Sequence, residues 1–170
     1  MALGPGGENL MAGDLIGFTG HQGLTANTEK LVAKAIEVAV RTDTSVTGIC
    51  SLAEGSDQLF ARTVLAAGGD LVVIVPCRGY EQTFASASVL DTFRDLLSKA
   101  REVIELDHAE PSEGAFWDAG QQVVVKSDRI IAVWDGKPAG GLGGTADVVG
   151  FARQEGKPVE VIWPKTAART

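Results

Sequence analysis

The residues best suited to chemistry lie near the C-terminus, where an apolar run meets a group of glycines. The run is Ile130-Ile131-Ala132-Val133-Trp134-Asp135-Gly136, and the glycines belong to Gly143-Gly144-Thr145-Ala146-Asp147. Glycines let a backbone approach a ligand closely, and the free N–H groups at a helix start favour negative charge. The pattern therefore predicts a strand, a loop that can hold phosphate and then a helix, which together suggest a nucleotide site.

Three further groups of polar residues and glycines each follow an apolar run. They are Gly20-His21-Gln22-Gly23, Glu54-Gly55-Ser56-Asp57 and Pro76-Cys77-Arg78-Gly79-Tyr80. His21 can act as an acid, a base or a donor to phosphate, and it can equally well satisfy a loop carbonyl. Gln22 can contact a base or ribose through its amide, or face solvent. Without a complete G-x-G-x-x-G pattern, Gly20 and Gly23 fit a simple tight turn as well as a ligand-binding loop.

The second of these groups has both a structural and a functional interpretation. Ser51-Leu52-Ala53-Glu54 fits the Ser-x-x-Glu capping box, so Glu54 either caps a helix or contacts a ribose. Gly55 permits close approach of a ligand. Ser56 and Asp57 suit a helix N-terminus whether or not a ligand binds there.

Two more loops offer contacts to a ligand. Asp135 and Gly136 come at the end of a predicted strand, where the carboxylate can hold ribose hydroxyls or a cation. Arg78 could pair with phosphate and Tyr80 could stack on a base, although exposure to solvent is the more common outcome for such residues. Asp147, early in its helix, complements the helix dipole without any ligand.

The elements that must position these residues follow from hydrophobic periodicity. Short apolar runs alternate with longer segments of helical period, which is the pattern of βα units around a mostly parallel sheet. Strands are predicted at about 14–19, 46–51, 70–76, 102–106, 129–135 and 158–163. Helices are predicted between the first two strands and at about 56–67, 84–100 and 113–127, the last of which contains Val123-Val124-Val125 and would also suit a strand.

These elements predict an α/β fold, a Rossmann-like three-layer sandwich with a mostly parallel central sheet of about six strands. In such a sheet all four polar loops leave the same edge. Open parallel sheets bind ligands outside the carboxyl ends of their strands, so this convergence carries more weight than any single motif. We therefore expect the ligand site at that edge.

The composition fits one globular domain. The chain has 170 residues, of which 45% are hydrophobic, and this length buries about two thirds of the unfolded surface. We expect a flexible N-terminal segment at 1–13, a single domain at 14–165 and a tail at 166–170. No run resembles a signal peptide or a membrane span, so a cytoplasmic location is expected.

Charge and cysteine content limit the partners. The formal net charge of −7 argues against duplex nucleic acid, but local N–H groups can still bind a small anion. Cys50 and Cys77 lack metal-ligand spacing, so we expect reduced thiols and no metal. No cofactor is certain; a bound nucleotide or phosphate is the group suggested. The expected partner is a small nucleotide-like molecule and not a membrane, while the third and fourth helices offer a candidate homodimer face.

Several segments together resemble the SLOG superfamily of Rossmann-like proteins. They are GFTGHQGL, SLAEGSDQLFA, DLVVIVP, RIIAVWDGKPAGGLGGTADVV and GKPVEVIW, which extend from about residue 14 to 164. The likeness is greatest to bacterial members with a TGH start, an AEG-S/A-D turn and a WDG…GGTA loop. The superfamily includes Lonely-guy phosphoribohydrolases, molybdenum-cofactor carriers, DNA-processing proteins and sensor domains of antiviral systems.

The resemblance implies nucleotide binding, with phosphate held by Gly143, Gly144 and Thr145, but it does not imply one activity. Lonely-guy enzymes carry PGGxGTxxE, with a glutamate three residues after the threonine. In this chain the carboxylate of Asp147 arrives one residue earlier and is one methylene shorter, and the proline is missing. Because a helix turns about 100° per residue, that shift aims the acid elsewhere.

We therefore expect a nucleotide-binding or nucleotide-derivative-binding protein, with the catalytic residues unknown. In this hypothesis Gly20, His21 and Gly55 line the wall opposite the phosphate loop, and Glu54 or Asp135 takes ribose hydroxyls. The first alternative is a hydrolase of the N-glycosidic bond of nucleoside monophosphates, for which Glu54 and Asp135 are the candidate carboxylates. The second alternative is a ligand-sensing interaction module.

Overall fold

The computed structural model describes residues 13–42 and 44–170, so nearly all of the predicted flexible segment at 1–13 lies outside the described residues. Strands β1 to β6 are Asp14–Gly20, Val46–Cys50, Asp70–Val75, Glu102–Glu105, Arg129–Val133 and Val159–Ile162. Helices α1 to α5 are Ala26–Ala39, Ser56–Ala66, Ala87–Ser98, Glu113–Val125 and Thr145–Gln154, and a 3₁₀ helix spans Tyr80–Thr83. These elements confirm the predicted α/β, Rossmann-like class.

The six strands form one parallel sheet in the order β4-β3-β2-β1-β5-β6. The chain moves outward from β1 to β4 and then returns to the other side of β1. Between β1 and β5 the sheet therefore has a topological switch point, from which the connections that follow the two strands lead to helices on opposite faces of the sheet. The most unusual loops of the sequence follow these two strands.

The helices cover both faces of the sheet. Helix α1 packs on α2 and α2 on α3, while α4 packs on α5. Right-handed connections place the first three helices on one face and the last two on the other. Because both faces are covered, the central strands are continuous apolar runs, and all five residues of β2 are buried.

Local capping and burial explain why α4 is a helix, although part of its sequence would also suit a strand. Ser112 precedes α4, and its hydroxyl accepts the Ala115 N–H at 3.1 Å. Ala115, Ala119 and Val123 are buried at a spacing of four residues, which is the spacing of one helix face. The β-branched run at the end of α4 is helical because this face packs on the sheet, and tertiary packing outweighs strand propensity.

Candidate functional site

A cleft of about 780 Å³ opens at the carboxyl edge of the sheet. The loops that follow β1, β2, β3 and β5 all contribute to it, together with the N-terminal turns of α4 and α5. Of the residues predicted for the site, those that line the cleft are Gly20, His21, Gln22, Glu54, Asp57, Gly143, Gly144 and Thr145. The other four do not line it: Gly55, Ser56, Asp135 and Gly136.

His21 and Asp135 bridge the switch point. Nε2 of His21 lies 3.0 Å from Oδ1 of Asp135, and both side chains are 10% exposed. Oδ1 of Asp135 also accepts the Lys137 N–H at 3.0 Å. Burial acts to raise the pKa of Asp135, but the Lys137 N–H and the His21 imidazole outweigh it and hold this pKa below its usual value. Asp135 does not line the cleft, but its carboxylate holds in position the His21 side chain, which does.

The predicted residues at the start of α2 join two loops. The Ser56 hydroxyl donates to the His21 carbonyl at 2.9 Å, so this side chain is already engaged within the protein. Gly55 has φ +92°, and a Cβ there would lie 3.1 Å from both Gln22 Cα and the His21 carbonyl oxygen. The β1 loop therefore packs on the backbone at the start of α2, and Gly55 is needed for that close approach.

The loop from Ser51 to Gly55 does not form the capping box that its sequence fits. Helix α2 begins at Ser56 with Gly55 as its N-cap residue, and no side chain caps it. Leu52 is fully buried at φ +54°, a left-handed conformation that costs free energy in a non-glycine residue. Glu54 lines the cleft and has no hydrogen-bond or ion-pair partner within 13–42 and 44–170, which leaves its carboxylate available to a ligand.

Asp57 is an unusual acid on the cleft surface. Its residue is 6% exposed, and its Oδ2 accepts the Ala53 N–H at 3.2 Å. Burial raises the pKa of Asp57 from 3.8 to about 7, against the opposing effect of the Ala53 and Ser51 N–H groups. The side chain therefore holds the β2 loop in place and also carries a proton over part of the neutral pH range.

The glycine loop before α5 is held in place by contacts with α4 and α5. Gly143 has φ +85°, and a Cβ there would lie 2.7 Å from the Trp117 backbone nitrogen. Oδ2 of Asp147 accepts the Gly143 N–H at 3.0 Å. Among the described residues no acceptor takes the N–H of Thr145 or Ala146, in the first turn of α5. These two donors, rather than that of Gly143, are therefore available to an anion.

Aromatic side chains form an apolar wall of the cleft. Tyr80, Phe84 and Phe116 all line it. Tyr80 is 6% exposed and makes edge contacts with Phe84 and Phe93 at centroid distances of 5.3 Å and 5.6 Å. Burial raises the pKa of Tyr80 well above its usual range, with Asp57 adding to the effect, so the phenol stays neutral. Such a wall suits the face of a base or another flat apolar group.

Two cationic residues of the cleft were not among those predicted from the sequence. Lys137 and Arg169 both line it. Lys137 stands in the loop before the glycines and could have been found from that position. Arg169 follows the last strand, and nothing in its neighbouring sequence indicates that it contacts the site.

Other chemistry is limited within the described ranges. No group of three His, Cys, Asp or Glu side chains in residues 13–42 and 44–170 is arranged to hold a metal ion. Cys50 and Cys77 are buried free thiols, and burial raises the pKa of both. None of the helices described for these residues is long and apolar enough to cross a bilayer.

Solved structures with a similar fold include DNA processing protein A from two bacteria. The chain aligns with the Helicobacter pylori protein at a TM-score of 0.65 and 14% identity, over 90% of this chain and 66% of that one. For the Streptococcus pneumoniae protein the TM-score is 0.64 at 15% identity, over 91% and 51% respectively. The structural-genomics target TM1055 aligns at 0.52 and 16% identity, over 86% and 72%. No known family model or curated protein matches the sequence.

The likeness at these identities concerns the fold alone, and it agrees with the Rossmann-like α/β architecture predicted from the sequence. The chain spans about two thirds of the length of the H. pylori protein and about half that of the S. pneumoniae protein.

One sequence-based expectation needs correction. We expected no duplex nucleic acid as a partner because the net charge is −7. The H. pylori protein, which has a similar fold, binds single-stranded DNA, so net charge was the wrong ground on which to exclude nucleic acid, and the partner expectation is corrected. The physical reason is that net charge averages over the whole surface, whereas binding depends on local donors, cations and aromatic faces.

Proposed function

We propose that the cleft binds a nucleotide, either as a free nucleoside phosphate or as a unit of a single strand. The observation that carries the proposal is the arrangement of three chemistries around one cleft at the switch point. They are the unpaired N–H groups of Thr145 and Ala146, the carboxylate of Glu54 and the aromatic wall of Tyr80, Phe84 and Phe116. They match a phosphate, ribose hydroxyls and a base in turn.

The switch point supports this assignment. In open α/β sheets ligands bind where the strand order reverses, and here the loops after β1 and β5 meet in the His21–Asp135 contact. Gly55 and Gly143 allow the loops to pack closely on neighbouring backbone, which supports a fixed shape for the cleft. The likeness in fold to a protein that binds single-stranded DNA is consistent with a nucleotidyl ligand.

The test is a binding panel on the intact protein. We expect one of the four ribonucleoside monophosphates, or a single-stranded oligonucleotide, to raise the melting temperature and to give a saturable titration. A ligand at about 100 times its dissociation constant adds about 2.7 kcal/mol to the free energy of unfolding. The two arms of the panel separate a free nucleotide from a strand.

A variant pair ties binding to the cleft. Thr145→Glu places a carboxylate at the first position of α5, where it occupies the anion site while remaining favourable for the helix. Ser88→Glu makes the same kind of change in the first turn of α3, outside the cleft. We expect Thr145→Glu to abolish binding and Ser88→Glu to leave it unchanged. If no member of the panel binds the wild-type protein, the proposal is rejected.

Cleavage of an N-glycosidic bond is the second candidate, and Asp57 is the observation that favours it. Asp57 carries a proton over part of the neutral range, and Glu54 lines the same cleft without a hydrogen-bond or ion-pair partner among the described residues. Two carboxyl groups in unlike environments can divide the roles of acid and base. Asp135 is engaged with His21 and Lys137, which leaves Glu54 as the more accessible of the two carboxylates predicted from sequence.

The assay for this candidate is the release of free base from each monophosphate. Release by the wild type that disappears in Glu54→Gln and in Asp57→Asn, each assayed at a monophosphate concentration that saturates the variant, would establish hydrolysis. Release no greater than that of a Glu54→Ala, Asp135→Ala double variant would eliminate it.

A further inference from the structure

Residues 168–170, which we call the strap, return from the end of β6 to the loop between β1 and α1. The Ala168 carbonyl accepts the Thr25 N–H at 3.2 Å, and the Thr170 N–H donates to the Gly23 carbonyl at 2.6 Å. Leu24 and Arg169 form an antiparallel bridge between these two hydrogen bonds. The strap therefore extends the wall of the cleft that begins at His21.

Specific residues on the β1 side receive the strap. Gly23 has φ +63°, and its carbonyl accepts the Thr170 hydroxyl at 3.0 Å as well as the N–H of the same residue. Thr28 is fully buried, and its Oγ1 accepts the Ala168 N–H at 2.8 Å. A buried hydroxyl whose acceptor capacity is used by the strap indicates a defined docking site rather than a chance contact.

The strap carries a cationic residue, Arg169, that lines the cleft of this acidic protein. Arg169 is exposed and lines the same cleft as His21 and Gln22, and it forms no ion pair with any residue of 13–42 or 44–170. The charged side chains that share the lining are Lys137, Glu54, Asp57 and Glu113. A guanidinium left unpaired among carboxylates is available to a ligand that brings its own negative charge.

We propose that Arg169 is a ligand-binding residue that pairs with a phosphate of the bound nucleotide, and that the strap exists to hold it there. This inference rests on the proposed function. Thr145 and Ala146 of α5 and Arg169 of the strap line the same cleft, so the guanidinium adds a charged donor to the two N–H groups available to a phosphate bound there. A guanidinium can bind two phosphate oxygens at once, which an ammonium group cannot do with the same geometry.

Three variants separate the charge of Arg169 from the docking of the strap. Arg169→Gln removes the charge, Arg169→Lys keeps it without the planar guanidinium, and Thr28→Val removes the buried acceptor of the Ala168 N–H. Arg153→Gln is the matched control, because Arg153 is exposed, lies 5.9 Å from the Trp134 ring and is absent from the cleft lining.

The readout is the ratio of dissociation constants for a nucleoside and its 5′-monophosphate, using whichever monophosphate binds the wild type most tightly. We expect Arg169→Gln to weaken monophosphate binding about tenfold and to leave nucleoside binding unchanged. Arg169→Lys recovers part of the loss, Thr28→Val reproduces it and Arg153→Gln has no effect. For single-stranded oligothymidylate, Arg169→Gln lowers the salt dependence of binding by about one phosphate contact.

The outcomes distinguish this inference from the function on which it rests. If the wild type binds a nucleotide or a strand and Arg169→Gln leaves both the ratio and the salt dependence unchanged, Arg169 has no phosphate role and the proposed function stands. If the wild type binds neither ligand, both proposals are overturned. A loss of nucleoside and monophosphate affinity by the same factor would also reject the phosphate role, since it would show only a structural contribution.

Discussion

Nε2 of His21 and Oδ1 of Asp135 lie 3.0 Å apart, and this contact joins the loop after β1 to the loop after β5. The two strands are neighbours in the sheet although they are far apart in sequence, and the order of the strands reverses between them. Because both side chains are largely buried, the pair fixes the two walls of the cleft relative to each other.

The tautomer of His21 is the first testable consequence. Nε2 lies 3.1 Å from the Asp135 N–H as well as 3.0 Å from the carboxylate, and a single nitrogen cannot accept from one and donate to the other. A charge-assisted hydrogen bond is about twice as strong as a neutral one, so we expect Nε2 to carry the proton. Long-range ¹H–¹⁵N correlation spectra distinguish the tautomers. A neutral ring protonated only at Nδ1 would contradict this assignment.

Loss of the Asp135 carboxylate should destabilise the fold in a pH-dependent way. Its pKa lies below the usual value in the folded state, so its stabilisation is present above pH about 4 and is lost as the pH falls further. We expect Asp135→Ala to cost about 1–3 kcal/mol at neutral pH and less in acid, measured by urea unfolding.

The matched control for Asp135 is Asp107→Ala. Asp107 is paired with Arg78 at 3.1 Å, but its side chain is 97% exposed. Exposed ion pairs contribute only about 0–1 kcal/mol, so little change is expected. Equal losses in the two variants would show that the position of Asp135 at the switch point has no special importance.

Asp57 should have the opposite dependence on pH. Its folded pKa of about 7 exceeds the ordinary 3.8, so the folded protein binds the proton more tightly than the unfolded chain. The contribution of Asp57 to stability is therefore full below about pH 4 and is lost as the pH rises to about 7.

Asp57→Asn removes this titration while keeping an oxygen that can accept the Ala53 N–H. We expect the free energy of unfolding of the wild type, relative to Asp57→Asn, to fall by up to about 1.4 kcal/mol per pH unit across that window. Urea unfolding at a series of pH values measures the difference. Parallel pH profiles for the two proteins would show that Asp57 has an ordinary pKa.

Gly55 provides a test of the close packing between the β1 loop and α2. Gly55→Ala meets an unfavourable φ and also the backbone of His21 and Gln22, so we expect a cost of about 1–3 kcal/mol. Gly68→Ala is the control, because Gly68 has φ +78° with no atom within 4 Å of the added Cβ. The difference between the two free energies of unfolding isolates the packing contribution, and its absence would mean that the two loops are not in close contact.

A substitution of Asp147 tests whether the first turn of α5 binds the phosphate of a ligand. Its carboxylate accepts a hydrogen bond from the Gly143 N–H and adds negative charge where the ligand phosphate is proposed to bind. Asp147→Asn keeps an acceptor for that N–H and removes the negative charge. The interaction of one charge with a helix N-terminus contributes about 0.3–1 kcal/mol. We expect nucleotide affinity to rise about two- to fivefold in a direct titration. Weaker binding would indicate that Asp147 contacts the ligand favourably.

Much of the fold could be predicted from the sequence because its signals are local. The apolar runs of β2 and β3 and the turn residues that follow them are defined by neighbours only a few positions away. The helix starts at Ser86 and Ser112 follow the same rule, since each hydroxyl caps an N–H three residues later. These patterns also predicted that four loops meet at one edge of the sheet.

Local pattern alone could not predict the details of the site. Ser51 to Glu54 fits a capping box, yet α2 begins later, because the buried Asp57 and the left-handed Leu52 hold the loop in another conformation. The raised pKa of Asp57 likewise depends on burial by residues that the sequence does not place nearby. A short motif has several low-energy conformations, and the surrounding structure selects one of them.

The sequence by itself determined the class of fold, the edge that holds the cleft and eight of the residues that line it, because alternating βα units dictate where the carboxyl ends of the strands lie. Only the tertiary structure decided that His21 pairs with Asp135 and that Arg169 reaches the cleft by way of Leu24. Both contacts join segments that are distant in the chain. They arise from the order of the strands and the path of the strap, which no local spacing specifies.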